Sequence, residues 1–265
     1  MSNSSLGTAV VTGASSGIGE VYADRLARRG YDLLLVGRNA ERLGTLAHQL
    51  AATGRRIDTL AADLAAPAGV AAVEAALRDD PTITLLVNSA GLMSGGPVAA
   101  ADPAALEQML AVNVVALTRL AAAASQQFAA RGRGAIVNIA SAMAFFDTPH
   151  TAAYGASKAY VLNFTLSLDL ELKPRGVQVQ AVLPGYTRTP MIAGGANLPS
   201  EIVMDVGELV DAALAGFDRD ELVTIPSLPD TADFAAWLGA RTDLQPNLSR
   251  DHAAPRYGVA RAAAA

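Results

Sequence analysis

Thr8-Ala9-Val10-Val11-Thr12-Gly13-Ala14-Ser15-Ser16-Gly17-Ile18-Gly19 is the stretch that decides the fold. Its first five residues are apolar or β-branched and read as a strand. Three glycines within the next seven positions read as a turn, and a helical pattern then runs to Arg29, where Gly30 stops it. A strand passing through a glycine turn into a helix places unpaired N–H groups and a positive dipole end beside a backbone with little side-chain bulk. That arrangement receives a pyrophosphate. Gly13, Ser15, Ser16, Gly17, Ile18 and Gly19 are therefore candidate phosphate-loop residues, in the spacing Gly-x-x-x-Gly-x-Gly. A glycine- and serine-rich turn without a ligand is the competing reading of this stretch alone.

Beyond this unit, apolar runs at 31–36, 57–62, 83–88, 134–140 and 177–183 alternate with helical patterns over 40–52, 67–79, 103–130 and 153–173. The runs lack clean polar alternation, as strands covered on both faces do. The order predicts an α/β fold, a doubly wound parallel sheet of about seven strands with helices on both faces. A single domain over 1–265 is expected, with a core over 8–188 and a substrate loop over 189–204. A closing helix and strand over 205–226 and a C-terminal extension over 230–265 complete it. The extension carries Phe234, Trp237 and Leu238, and reads either as disordered or as a cover for a neighbouring subunit. The loop from Thr189 to Ser200, with its Pro, Gly and Asn, is expected to be mobile.

Composition narrows the function. Of 265 residues, 51% are hydrophobic and 17% charged, so the chain is built to bury a core. The net charge of −5 argues against a broad nucleic-acid or anionic-membrane surface. With no cysteine there is no thiolate nucleophile or disulfide scaffold, and His48, His150 and His252 lie too far apart for a local zinc motif, so no metal is expected. Residues 1–7 have neither a basic n-region nor an apolar h-region, and no window approaches about 18 uninterrupted apolar residues. A cytoplasmic protein without a membrane segment is the expectation.

Three polar features stand out. The end of the second strand reads Val36-Gly37-Arg38-Asn39, with no carboxylate to repel a ribose 2′-phosphate and an arginine able to pair with one, which favours NADP(H) while leaving NAD(H) possible. On the long helix, Leu106, Leu110, Leu117, Leu120 and Ala124 form a stripe, and the spacing puts Asn113 on it. On the 153–173 helix, Tyr154, Lys158, Val161, Thr165, Leu168 and Leu172 share a face. Lysine is unusual there, and a close ammonium would lower the tyrosine below its ordinary value of about 10 and fit it for proton exchange. A packing tyrosine beside a snorkelling lysine reads the same pair without chemistry.

Taken together, these pieces resemble the short-chain dehydrogenase/reductase family over residues 8 to about 226. The resemblance rests on residues 12–19, Asp63, Asn88-Ser89-Ala90-Gly91, Asn113, Ser141, Tyr154-x-x-x-Lys158, and Pro184-Gly185 with Thr187 and Thr189. Ser89 is a departure, since the family usually has a second Asn there. The resemblance implies that Tyr154 exchanges the proton with the carbonyl oxygen, that Lys158 lowers its pKa and binds the nicotinamide ribose, and that Ser141 bonds the substrate oxygen. It implies that Asn113 holds a water linking Lys158 to solvent. Asp63 and Leu64 would contact adenine, Asn88, Ala90 and Gly91 would line the ribose path, and Pro184, Gly185, Thr187 and Thr189 would hold the carboxamide and pyrophosphate. Arg38, with Asn39 beside it, matches the NADP-preferring pattern.

Met93, Phe145, Phe146, His150, Tyr186 and Met191 are the candidate substrate-pocket residues, with Ala142, Met143 and Ile192 beside them. Apart from Arg188 they bring no cation, so an apolar aldehyde or ketone, or the matching alcohol, is expected. Ala153, Ala156, Tyr160 and Phe164 give the same helix a second apolar face, which predicts a homodimer or homotetramer. The leading reading is an NADPH-dependent carbonyl reductase. The alternative is a non-catalytic NADP(H)-binding redox sensor, which would tolerate loss of Tyr154, Lys158 or Ser141. A nucleotide-sugar epimerase would have a larger C-terminal domain, and a methyltransferase would not need the Tyr/Lys pair.

Overall fold

The computed structural model describes residues 6–94, 96–192 and 198–259. Strands β1 (Thr8–Thr12), β2 (Asp32–Gly37), β3 (Ile57–Ala61), β4 (Ile83–Asn88), β5 (Gly134–Ile139), β6 (Val177–Val182) and β7 (Val223–Thr224) form one sheet in the order β3-β2-β1-β4-β5-β6-β7. Every neighbouring pair is parallel. The inner strands β1, β2, β4 and β5 are mainly apolar at both parities because each parity meets a helical layer, whereas edge strand β3 exposes Asp58 and Thr59 and β6 carries Gln178 and Gln180 at one parity. Val11, Leu33, Leu35, Leu85 and Val87 pack with α1 (Gly17–Arg29), α2 (Ala40–Leu50) and α7 (Val206–Asp218) through Tyr22, Leu26, Leu43, Leu46 and Leu209. Val10, Val36, Leu86, Ile136 and Val179 meet α3 (Pro67–Asp79), α5 (Leu117–Arg131) and α6 (Ala152–Leu172) through Val73, Leu77, Leu120, Phe128 and Leu168. The strand order reverses between β1 and β4, which opens a crevice at their C-terminal ends.

The single helix expected over 103–130 is interrupted. Helix α4 (Pro103–Leu110) passes into a π-helical segment, Ala111–Ala116, before α5 begins. The wider turn shifts the phase of everything before it. Leu110, placed on the stripe by sequence, is 41% exposed, and Met109 takes the buried position. Asn113 lies inside the π segment and is 1% exposed. By length and composition alone 103–131 would be long and apolar enough to cross a membrane. Here it is a core helix, with Ala121, Ala124 and Phe128 fully buried in the layer beneath the sheet.

The loop expected to be mobile falls partly on residues 193–197, outside the described residues. Thr187 and Met204 on its two flanks are joined by a parallel β-bridge. The chain divides into two compact units, one ending at Pro226 and one beginning at Ser227. In the second, α8 (Thr231–Asp243) stacks Phe234 on Trp237 with ring centroids 5.6 Å apart, and no described residue from 227 to 259 is buried.

Candidate active site

The β1–α1 turn closes directly on the end of β4. Gly13 has φ 67°, and a Cβ there would stand 2.8 Å from the Ala90 Cα, so only glycine fits both the conformation and the approach. Thr12 joins the two ends: its Oγ1 accepts from Ser89 N at 3.0 Å and Ala90 N at 3.1 Å. By sequence Thr12 ends the first strand and opens the motif that carries the resemblance, with no bonding role assigned to it. Helices α2, α4, α7 and α8 are capped by the side chains of Asn39, Asp102, Asp205 and Asp230, whereas α1, like α3 and α6, has no side-chain cap, and of these three it is α1 that starts from the glycine turn at the crevice. The first N–H groups of α1 are thus left for an anion. A Cβ on Gly17 would lie 3.3 Å from the Thr189 methyl and 3.8 Å from the Pro190 ring, so Thr189 and Pro190 lie against this turn. Thr187 is buried and donates to Gly185 O at 3.1 Å.

Around this turn the remaining cofactor candidates fall as follows. A Cβ on Gly37 would lie 3.3 Å from the Ser15 Oγ, which places that hydroxyl at the end of β2, one residue from Arg38. Arg38 is exposed and forms no ion pair with any described residue. Asn39 spends its Oδ1 on Arg42 N, and Asp63 accepts from Ala65 N at 3.0 Å beside the buried Leu64. Asn88 is 2% exposed, and its Oδ1 has no partner among the described residues.

The four catalytic candidates come from three elements. Asn113 is held on the loop after β4: its Oδ1 accepts from Leu92 N at 2.8 Å and its Nδ2 donates to Leu92 O at 2.9 Å and Ser157 Oγ at 3.2 Å. Ser141, just past β5, accepts from Met143 N at 3.1 Å and donates to Pro184 O at 3.4 Å. Lys158 is 5% exposed and donates to Ile139 O at 2.9 Å, with its Nζ 5.7 Å from the Tyr154 ring centre. Burial lowers this lysine from 10.5 to about 8. Burial raises the Tyr154 phenol, and its interaction with the Ser141 hydroxyl offsets part of that rise. The lowering expected from Lys158 is not found: burial is the largest influence on the phenol, only Ser141 opposes it, and Nζ is turned toward Ile139.

A Cβ on Gly91 would lie 3.6 Å from Asn113 Oδ1 and 3.7 Å from Lys158 Nζ. The missing side chain leaves a space that touches both groups. The unpartnered Asn88 acceptor, the open start of α1 and this space suit a nucleotide lying across the crevice.

The pocket candidates follow the strand ends. Met93, Phe146, Tyr186 and Met191 are 44–58% exposed, and His150 is exposed as well. Phe145 is different, packing beside Leu117, Val161 and Leu183. His150 has φ 69°, and its carbonyl accepts from Gly96 N at 3.0 Å, which ties the loops after β4 and β5 together.

Known proteins resemble this chain in sequence and fold. Residues 7–196 match the family model described as short chain dehydrogenase. A short-chain dehydrogenase from Sphingobium yanoikuyae, solved in complex with NADPH, is 48% identical with a TM-score of 0.91, covering 95% of this chain and 100% of its own. A bulky-bulky ketone specific alcohol dehydrogenase from Comamonas testosteroni is 45% identical with a TM-score of 0.89, covering 95% and 98%. Gluconate 5-dehydrogenase of Gluconobacter oxydans is 36% identical over 187 residues, 69% of this chain and 72% of that enzyme. The chain belongs to the short chain dehydrogenase family. It is an oxidoreductase built on the doubly wound fold.

Proposed function

We propose that this chain reduces the carbonyl of an apolar ketone or aldehyde with NADPH, or runs the reverse reaction, using Tyr154 as general acid/base. The observation that carries the reading is a lysine kept almost fully buried, one helical turn from Tyr154, on the face toward Ser141 and Asn113. The bound dinucleotide supplies the hydride. Glycine-loop residues from Gly13 to Gly19 and the segment from Pro184 to Thr189 hold its pyrophosphate and carboxamide ends. Ser15 and Arg38 face the 2′-phosphate, which makes NADP(H) the preferred cofactor and NAD(H) the weaker one. Asp63, Leu64, Asn88, Ala90 and Gly91 line the adenine and ribose path.

With substrate bound, Ser141 turns its hydroxyl from Pro184 O to the substrate oxygen beside the Tyr154 phenol, and Tyr154 delivers the proton as charge develops there. Lys158 holds a positive charge beneath, and the Asn113 Oδ1 and Lys158 Nζ border the space where a water would pass a proton onward. Met93, Phe145, Phe146, His150, Tyr186 and Met191 set the pocket. Their apolar character, and the ketone specificity of the Comamonas testosteroni relative, support a ketone with apolar flanks over a sugar acid. Exposed Tyr160, stacked on Phe164 at 5.8 Å, marks the face for homodimer or homotetramer formation. NADPH oxidation with diaryl and long-chain ketones, set against the keto acids that gluconate-type acids become on oxidation, tests the substrate class. Turnover confined to the acids would overturn it.

A further inference from the structure

Ser141 stands at the end of β5, while Tyr154 and Lys158 ride on α6. The reacting geometry therefore depends on how α6 sits along β5. Two buried hydroxyls on α6 flank Lys158. Ser157 Oγ donates to Tyr154 O and Thr165 Oγ1 donates to Val161 O, both at 2.7 Å. A hydroxyl has one hydrogen, so each can now only accept. Each accepts from an asparagine on another element: Asn113 Nδ2 reaches Ser157 Oγ, and Asn138 Nδ2 reaches Thr165 Oγ1 at 3.0 Å.

That constraint fixes the Asn138 amide. With Nδ2 committed to Thr165, Oδ1 is left to accept from Asn88 Nδ2 at 2.9 Å, its register partner across β4 and β5. The chain Asn88–Asn138–Thr165–Val161 has one allowed polarity and runs from β4 through β5 into α6. Asn138 and Thr165 are each 0% exposed. Besides these, Lys158 Nζ bonds Ile139 O at the active end of α6 and Tyr160 OH meets Thr118 Oγ1 at 2.9 Å on its exposed side, while the contacts through Val161, Leu168 and Leu172 are apolar and non-directional. Directional bonds are what fix its axial position.

We infer that Asn138, acting through Thr165, is a positioning residue that sets α6 on β5 so that Lys158 Nζ meets the Ile139 carbonyl and Tyr154 stands opposite Ser141. This rests on the catalytic reading of Tyr154 and Lys158 above. Thr165→Val keeps the shape and removes the acceptor, and Thr165→Ser keeps the hydroxyl. Two readouts are taken on the full chain: kcat and KM with NADPH, and the absorbance titration of the Tyr154 phenolate, taken as the difference from Tyr154→Phe. Thr165→Val is expected to lower kcat about tenfold with the KM for NADPH within about twofold, and to move the phenolate midpoint, while Thr165→Ser keeps both.

A folded Thr165→Val protein with unchanged kcat and midpoint overturns the inference. Should Thr165→Val not fold, the Asn138→Leu, Thr165→Val double variant removes both partners and is held to the same outcomes. Wild-type protein that binds NADPH yet reduces no carbonyl defeats the reductase reading instead. The phenolate midpoint then decides the positioning role alone, and an unmoved midpoint overturns it.

Discussion

Lys158 donates to the Ile139 carbonyl at 2.9 Å from a position only 5% exposed. One neutral acceptor is a poor exchange for the hydration of an ammonium, and the lysine titrates near 8 instead of 10.5 as a result. The fold keeps a destabilising charge where the proposed proton transfer by Tyr154 needs one.

That cost has a pH signature. Below pH 8 the lysine is protonated in both folded and unfolded chains, and the full penalty applies. Between about 8 and 10.5 the unfolded chain stays protonated while the folded one releases its proton, so wild-type stability rises with pH across that window. Lys158→Met is expected to be inactive yet more stable at neutral pH by about 2 kcal/mol, allowing for the lost bond to Ile139. Its advantage should shrink toward pH 10.5. Urea melts at both ends of the window check this, and a variant less stable at neutral pH contradicts it.

Gly91→Ala separates fold from function. The added methyl meets Asn113 Oδ1 and Lys158 Nζ at ordinary contact distance, so the melting temperature should move by no more than about 2 °C. Turnover should fall about tenfold or more, because the methyl fills the space bordered by both groups. Gly13→Ala, with its positive φ and the Ala90 backbone at 2.8 Å, should instead lose about 2 kcal/mol or more of stability. Equal stability losses in the two variants would contradict this account of the crevice.

Arg38→Asp should weaken NADPH binding by about 10- to 100-fold, the worth of a charge-assisted bond to phosphate, and NADH binding far less. Fluorescence titration with both cofactors measures the difference. An equal effect on the two removes Arg38 from the 2′-phosphate.

Most of the fold was legible because the apolar runs of the inner strands needed two helical layers and helices such as α1, α5 and α6 end at glycine or proline, at Gly30, Gly132 and Pro174–Gly176. β3 kept its place despite exposed Asp58 and Thr59, since it lies at the edge of the sheet. The π segment was not legible: nothing in Ala111–Ala116 breaks a 3.6-residue pattern locally, so Leu110 was put where Met109 lies. Tyr154, Lys158 and Asn113 were visible as polar residues on apolar faces. Asn138 and Thr12 carried a weaker signal, polar residues near the ends of strands with no alternation to violate. Their partners, Thr165 and the Ser89–Ala90 backbone, are distant in sequence and meet them only once the sheet has formed.

Residues from Ser227 onward contribute no buried side chain among those described. A chain ending at Pro226 should keep a single cooperative unfolding transition by calorimetry. A broad, non-cooperative melt would show that the extension holds the sheet together.

The central claim, proton transfer by Tyr154, is tested most directly by NADPH oxidation with an apolar ketone in wild-type and Tyr154→Phe proteins, alongside NADPH affinity in the same samples. The account predicts that turnover falls by about 10²- to 10⁴-fold in Tyr154→Phe while NADPH affinity stays within about twofold. Turnover unchanged in Tyr154→Phe contradicts it, and wild-type protein that binds NADPH tightly but reduces no carbonyl points to a redox sensor on the same fold.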